Sequence, residues 1–136
     1  MNKVLPTCAA AALFCAGCLH TVDTVENAEK TYVPDEVIRL HVETDATQPV
    51  KVTNILQATA ANGFMMLAVE VTNTSTSDQI AFYRLDWFDE TGMTVTTSLT
   101  QWNEVRLLGR GAKQLKFTAP NAVAKDFKIH LFEAPR

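Results

Sequence analysis

From residue 37 to the end of the chain, apolar and polar residues alternate with a period of two, the spacing of a strand with one buried face. The alternation predicts strands over residues 37–43, 50–59, 64–73, 80–88, 93–100, 104–107, 113–119 and 127–133. Leu67, Val69 and Val71 share one face opposite Ala68, Glu70 and Thr72. Leu115 and Phe117 alternate with Gln114, Lys116 and Thr118, and Phe127, Ile129 and Leu131 with Lys128, His130 and Phe132. Run 80–88 is apolar on both faces, with Phe82 and Phe88 opposite Tyr83, Leu85 and Trp87. Such a strand is covered on both sides or contributes to a contact surface.

The turn residues agree with these runs. Pro34, Pro49, Gly63, Gly92, Gly109, Gly111, Pro120 and Pro135 all fall outside the strand interiors. Asn62-Gly63 predicts a tight hairpin in which both residues take positive φ. Asp89-Glu90-Thr91-Gly92 predicts a second hairpin turn, with the Asp89 side chain bonding the backbone two residues on. Residues 121–126, opened by Pro120, are expected to make a single helical turn. Many short strands, tight turns and no long helical period predict an all-β fold of about seven to eight strands in two packed sheets.

The N-terminus follows different rules. Lys3 supplies one charge, Val4 to Phe14 is an apolar run, and Cys15-Ala16-Gly17-Cys18 follows. The run is too short to cross a bilayer, which needs about 20 residues, and suits a signal peptide. Ala16 and Gly17 are small enough for lipoprotein processing, although Cys15 stands where that motif usually has Leu. The expected organisation is a signal peptide over 1–17, a lipidated tether over 18–35 starting at Cys18, and a β-sandwich domain over 36–136. All three cysteines lie in the first 18 residues, so no disulfide can brace the domain. Leu19 rather than Asp follows Cys18, and the expected location is therefore the outer membrane, lipid-anchored and facing the periplasm. A tether of about 17 residues reaches at most ~55 Å when extended.

Charge narrows the partners. Without Lys3 the remaining chain has 11 basic residues (12 less one) against 15 acidic ones, a net of −4, which argues against nucleic acid. Residues 19–49 hold seven acids against Lys30 and Arg39, whereas residues 104–136 hold seven bases against Glu104, Asp126 and Glu133. Arg106, Arg110, Lys113 and Lys116 form the one group with a functional colour. They are a possible contact surface for anionic envelope components, or simply a solvated hairpin face.

Candidate chemistry is sparse. His20, His41 and His130 are not at ligand spacing, and exposed strand positions are the expected fate of His41 and His130. A His41–His130 pair would require the first and last strands to be neighbours. Asp86, Asp89 and Glu90 do not match a calcium loop. Ser75, Ser77 and Ser98 lack a nucleophile elbow, and no glycine-rich phosphate loop exists. Asn73-Thr74-Ser75 matches a glycosylation acceptor but has no weight in a bacterial lipoprotein. Trp87 and Trp102 are read as core. No catalytic residue, cofactor or metal is expected.

Phe82-Tyr83-Arg84-Leu85-Asp86-Trp87-Phe88-Asp89-Glu90-Thr91-Gly92, followed by Trp102, Leu108-Gly109 and Ala119-Pro120, resembles the YcfL-like family of bacterial envelope lipoproteins. The resemblance covers roughly residues 37–132. It implies an immunoglobulin-like sandwich behind a lipidated cysteine and no enzymatic activity. The expectation is a non-catalytic lipoprotein held in the membrane by acyl chains on Cys18, binding an envelope protein or peptidoglycan. The alternatives are a structural or chaperone-like factor that pairs a client strand at a sandwich edge, and a cryptic hydrolase.

Overall fold

A computed structural model describes residues 30–97 and 100–136. The signal peptide, Cys18, most of the tether, and Ser98 and Leu99 of the expected strand 93–100 lie outside the described residues.

Among the described residues, eight strands and one short helix follow in the order β1 (Thr31–Tyr32), α1 (Asp35–His41), β2 (Val42–Thr44), β3 (Val50–Thr59), β4 (Met65–Asn73), β5 (Gln79–Phe88), β6 (Asn103–Leu107), β7 (Ala112–Thr118) and β8 (Asp126–Phe132). They make an all-β sandwich of two four-stranded sheets, β1-β3-β4-β7 and β2-β8-β5-β6. Every pairing is antiparallel except β2 on β8. Leu67, Val69 and Val71 of β4 face inward beside Leu115 and Phe117 of β7, against Leu85 and Trp87 of β5 and Phe127, Ile129 and Leu131 of β8. Trp87 is 4% exposed and meets the Phe127 ring edge-on at 6.5 Å. A register shift between Val52 and Asn54 of β3 leaves Thr53 as an extra residue. Without that bulge Val50 and Ile55, odd steps apart, could not both be buried.

Several local expectations are corrected. Run 37–43 is mostly helix, not strand, and only β2 remains extended. Pro34 occupies the N-cap without a side-chain cap bond, while Asp35 and Glu36 in the first turn and Arg39 and His41 in the last suit the helix dipole. Ile38 is buried from α1 into the gap between the sheets, while Leu40 is 79% exposed. Run 93–100 forms no strand among its described residues, only a bridge from Thr94 to Phe88. β6 pairs with the opposite end of β5, from Tyr83↔Asn103 to Gln79↔Leu107, so the chain must travel back along β5 first. Residues 121–125 form a bend and turn rather than a helix, and Asp126 already opens β8; the Asn121 carboxamide oxygen accepts from Val123 N–H at 3.0 Å. The Asn62-Gly63 hairpin has five loop residues, 60–64, and only Gly63 takes positive φ, at 81°. Thr31 and Tyr32, within the segment assigned to the tether, already pair with Gln57 and Leu56 of β3.

The Asp89 turn forms as expected. Asp89 Oδ1 accepts from Thr91 N–H (2.9 Å), Thr91 Oγ1 (2.7 Å) and Met93 N–H (2.9 Å), with Gly92 at φ 82°. These bonds, Thr91's side chain foremost, hold the Asp89 carboxyl below the usual aspartate range.

Candidate functional site

β6 and β7 are each the last strand of their sheet and follow one another in the chain. The turn over residues 108–111 therefore crosses between the sheets along one open side of the sandwich. What holds that turn is a buried asparagine. Asn73 ends β4 on the core face, continuing the inward set Leu67, Val69, Val71, and is 0% exposed. Its Nδ2 donates to Ser77 O (2.7 Å) and Leu108 O (3.0 Å), and its Oδ1 accepts from Ser75 N–H (2.9 Å) and Ser75 Oγ (2.8 Å). Both carboxamide atoms are fully used, as burial requires. Arg110 N–H bonds Ser75 O at 2.8 Å and Gly109 N–H bonds Asp78 Oδ1 at 3.0 Å. A Cβ on Gly109 would collide with the Thr76 carbonyl, so only glycine permits this backbone approach.

This lock positions the basic group. Arg106 lies on the outer face of β6, paired with Glu104 at 2.6 Å, and Arg110 sits in the turn at φ 59°. Lys113 pairs with Val71, which places it at an inward-facing register position of an edge strand. Arg106 and Lys113 line one cleft of about 440 Å³ with Asp78, Ile80 and Leu108. Ile80 and Leu108 are exposed there. Lys116 is on the outward face of β7, beside a separate groove with Met66 and Ala68. The four basic residues thus divide: Arg106 and Lys113 converge, Arg110 is next to them in the chain, and Lys116 stands apart.

Among the described residues β7 also presents an unpaired backbone edge. Ala119 N–H bonds Met65 O and Asn73 N–H bonds Gly111 O, so odd-numbered residues of this strand bond to β4. The even ones, Gln114 and Lys116 among them, aim their N–H and C=O groups away from the sheet.

A second polar assembly covers the outer face of the other sheet. His130 Nε2 contacts Asp86 Oδ2 at 2.9 Å and Nδ1 contacts Glu43 Oε2 at 3.1 Å. Arg84 pairs with Asp86 (3.0 Å) and lies over the Trp102 ring (5.1 Å), while Lys128 pairs with Glu43 (3.0 Å). The Lys128 hydrogen bond, with the charges of Lys128 and His130, lowers the Glu43 carboxyl below its usual range. Burial raises the Tyr83 phenol.

Trp102 is therefore not a core residue; it is half-buried on the outer face, packed on His130 and Phe132. The histidines are not exposed strand residues either. His41 ends α1 and bonds Asp126, and the His130 side chain is 12% exposed. β2 and β8 are neighbours, but the two histidines engage different carboxylates. Among the described residues no three His, Cys, Asp or Glu side chains converge as a metal site.

In the sequence Asn73 stood out only as part of a glycosylation acceptor, and Asp78 had no assigned role. The available signal was the parity of Asn73: an amide on the apolar face of a strand must be bonded at the point where it is buried.

The family of proteins of unknown function called DUF1425 has a model that matches residues 39–133. The fold is similar to the crystal structure of a DUF1425 family member from Shewanella sp. pv-4, at 28% identity and TM-score 0.58, over 64% of this chain and 80% of that one. It is also similar to Campylobacter jejuni cj0090, at 22% identity and TM-score 0.59, over 68% of this chain and 96% of that one. No curated protein matches the chain significantly.

Proposed function

The chain belongs to the DUF1425 family, whose function is unknown, and from that premise we propose that it is a non-catalytic envelope lipoprotein, of the YcfL-like kind, that binds another envelope component through its β6–β7 side. The observation that carries this reading is the cleft between Arg106 and Lys113. It combines Lys113 and the Glu104-paired Arg106 with Asp78 and the exposed Ile80 and Leu108, on a turn braced by the buried Asn73. Cationic rims around apolar groups suit an anionic, partly apolar protein segment. Acyl chains on Cys18 would hold the domain at the outer membrane, facing the periplasm and the peptidoglycan.

A photoactivatable side chain at position 113 or 108 should capture a partner in intact cells, whereas one at Glu90, in the β5 turn, should not. Adducts only from Glu90, or none from the cleft, would overturn the assignment of this surface. Anchoring is tested separately: Cys18→Ala should leave uncleaved precursor in the inner membrane. Recovery of acylated, processed protein from that variant would refute lipidation at Cys18. Sucrose-gradient fractionation should place the wild-type chain with outer-membrane markers; co-migration with the inner membrane would refute the location.

The free edge of β7 favours a second reading, in which a client strand adds to the sheet. Gln114→Pro would remove an outward N–H without breaking the ladder to β4. Loss of partner capture in Gln114→Pro, with capture retained in Lys113→Glu, would select strand pairing over the charged cleft.

A further inference from the structure

The β7 edge has a cleft at each end. β6 stops at Asn103, opposite Tyr83, and leaves Leu85 and Trp87 of β5 without a β6 partner. Between this part of β5 and Phe117 of β7 lies a cleft of about 300 Å³, walled by the Tyr83, Trp87 and Phe117 rings and also lined by Asn103, Lys116 and Thr118. The Tyr83 and Phe117 rings meet edge-on at 5.8 Å, and both are only partly buried. At the other end is the cleft of Arg106 and Lys113. Arg106 is paired with Glu104, and the Asp78 carboxylate accepts from Gly109 N–H, whereas Lys113 has no ion pair among the described residues. Phe117, Leu115 and Lys113 hold successive inward positions, so the two clefts stand four residues apart, roughly 14 Å along the strand.

We propose that this side binds one extended peptide segment, antiparallel to β7, that places an apolar side chain in the Tyr83–Phe117 cleft and, four residues later, a carboxylate beside Lys113. The inference rests on the strand-pairing reading and adds the side chains that the partner must carry. The segment's backbone would bond the outward N–H and C=O groups of Gln114 and Lys116. Its residues opposite Phe117, Leu115 and Lys113 then form the non-hydrogen-bonded pairs, which bring side chains closest, and they share the inward face. The first meets an aromatic cleft with no carboxylate in its lining, which suits a phenylalanine- or leucine-sized group. The last meets the Lys113 ammonium beside the Arg106 guanidinium, which suits Asp or Glu. β7 of a second copy has two lysines and no acid, so it is not the partner.

Two synthetic heptapeptides test this on the 15N-labelled full chain: Thr-Phe-Thr-Val-Thr-Glu-Thr, which matches the antiparallel order, and the reversed Thr-Glu-Thr-Val-Thr-Phe-Thr. The first should slow amide exchange at Gln114 and Lys116 and shift the Tyr83 and Phe117 signals; the reversed peptide should do so only at higher concentration. Exchanging Glu for Gln in the first peptide should weaken binding about threefold or more, the size of a partly exposed ion pair. Exchanging its Phe for Ala should weaken binding about tenfold or more. The Lys113→Glu variant should lose affinity for the first peptide and regain it when the peptide has Lys in place of Glu. Equal protection of Gln114 and Lys116 by both peptides, or no effect of the Glu-to-Gln exchange, would overturn the inference while leaving strand pairing in place. No protection of either amide by any of these peptides would overturn strand pairing itself, and the inference with it.

Discussion

Asn73→Asp exchanges one NH2 group for an oxygen and leaves the side chain's shape unchanged, so its effect isolates hydrogen bonding from packing. In the native protein Nδ2 donates to Ser77 O at 2.7 Å and to Leu108 O at 3.0 Å, in a residue that is 0% exposed. The aspartate would lose both bonds and turn a carboxylate oxygen towards two carbonyl oxygens. Each lost bond removes about 1 kcal/mol, and each carbonyl left unsatisfied adds about 1 kcal/mol or more. Burial of an unpaired charge adds to these terms, so the expected loss at pH 7 is at least about 4 kcal/mol. The carboxyl pKa in the variant should rise, because desolvation and the facing carbonyls disfavour the anion. Acidification should then narrow the gap to wild type, since the protonated carboxyl can donate to one of the two carbonyls. Urea unfolding followed by the fluorescence of buried Trp87, at pH 7 and pH 5, measures both effects. A loss below about 1 kcal/mol at pH 7, or a gap that widens on acidification, would refute the account of Asn73 as the lock of the 108–111 turn.

Gln48 makes the opposite forecast: it is 1% exposed and neither Nε2 nor Oε1 has a partner among the described residues. Gln48→Met should therefore raise stability by about 1 kcal/mol, and a comparable loss in urea titration would show that the amide is bonded after all. Gly109→Ala forces a methyl into the Thr76 carbonyl and should destabilise by about 3 kcal/mol, with an unchanged melting temperature as the contrary result. Trp87→Ala should cost about 3–5 kcal/mol; a loss under about 1 kcal/mol would mean that the ring serves a ligand rather than the core. Glu43 and Asp89 both have lowered carboxyl pKa values, so their contributions exist above the ordinary carboxylate range and vanish as the pH falls through the lowered values. Glu43→Gln/Asp89→Asn should accordingly flatten the acid limb of a stability–pH curve, and an unaltered limb would contradict both assignments.

Periodicity alone was enough for the sandwich, because alternation is a local property and one face of each strand had to be buried. Leu67, Val69, Val71 and Phe127, Ile129, Leu131 are inward in the structure as their spacing requires. The Asp89 turn was equally local, since its bonds reach only four residues along the chain. The helix at Asp35–His41 could not be separated from a strand by period in so short a run; the charges at its two ends favour it, and it buries Ile38 in the core. The sequence divided the basic group only in part. Lys113 and Lys116, three residues apart on one strand, fall on opposite faces by alternation alone, but whether Arg106 joins either depends on which sheet each strand enters. The roles of Asn73, His41 and His130 lie furthest from sequence reading, because their partners stand up to 85 residues away in the chain. A polar residue's purpose is set by the acceptor it meets, and only packing the two sheets together determines which acceptor that is.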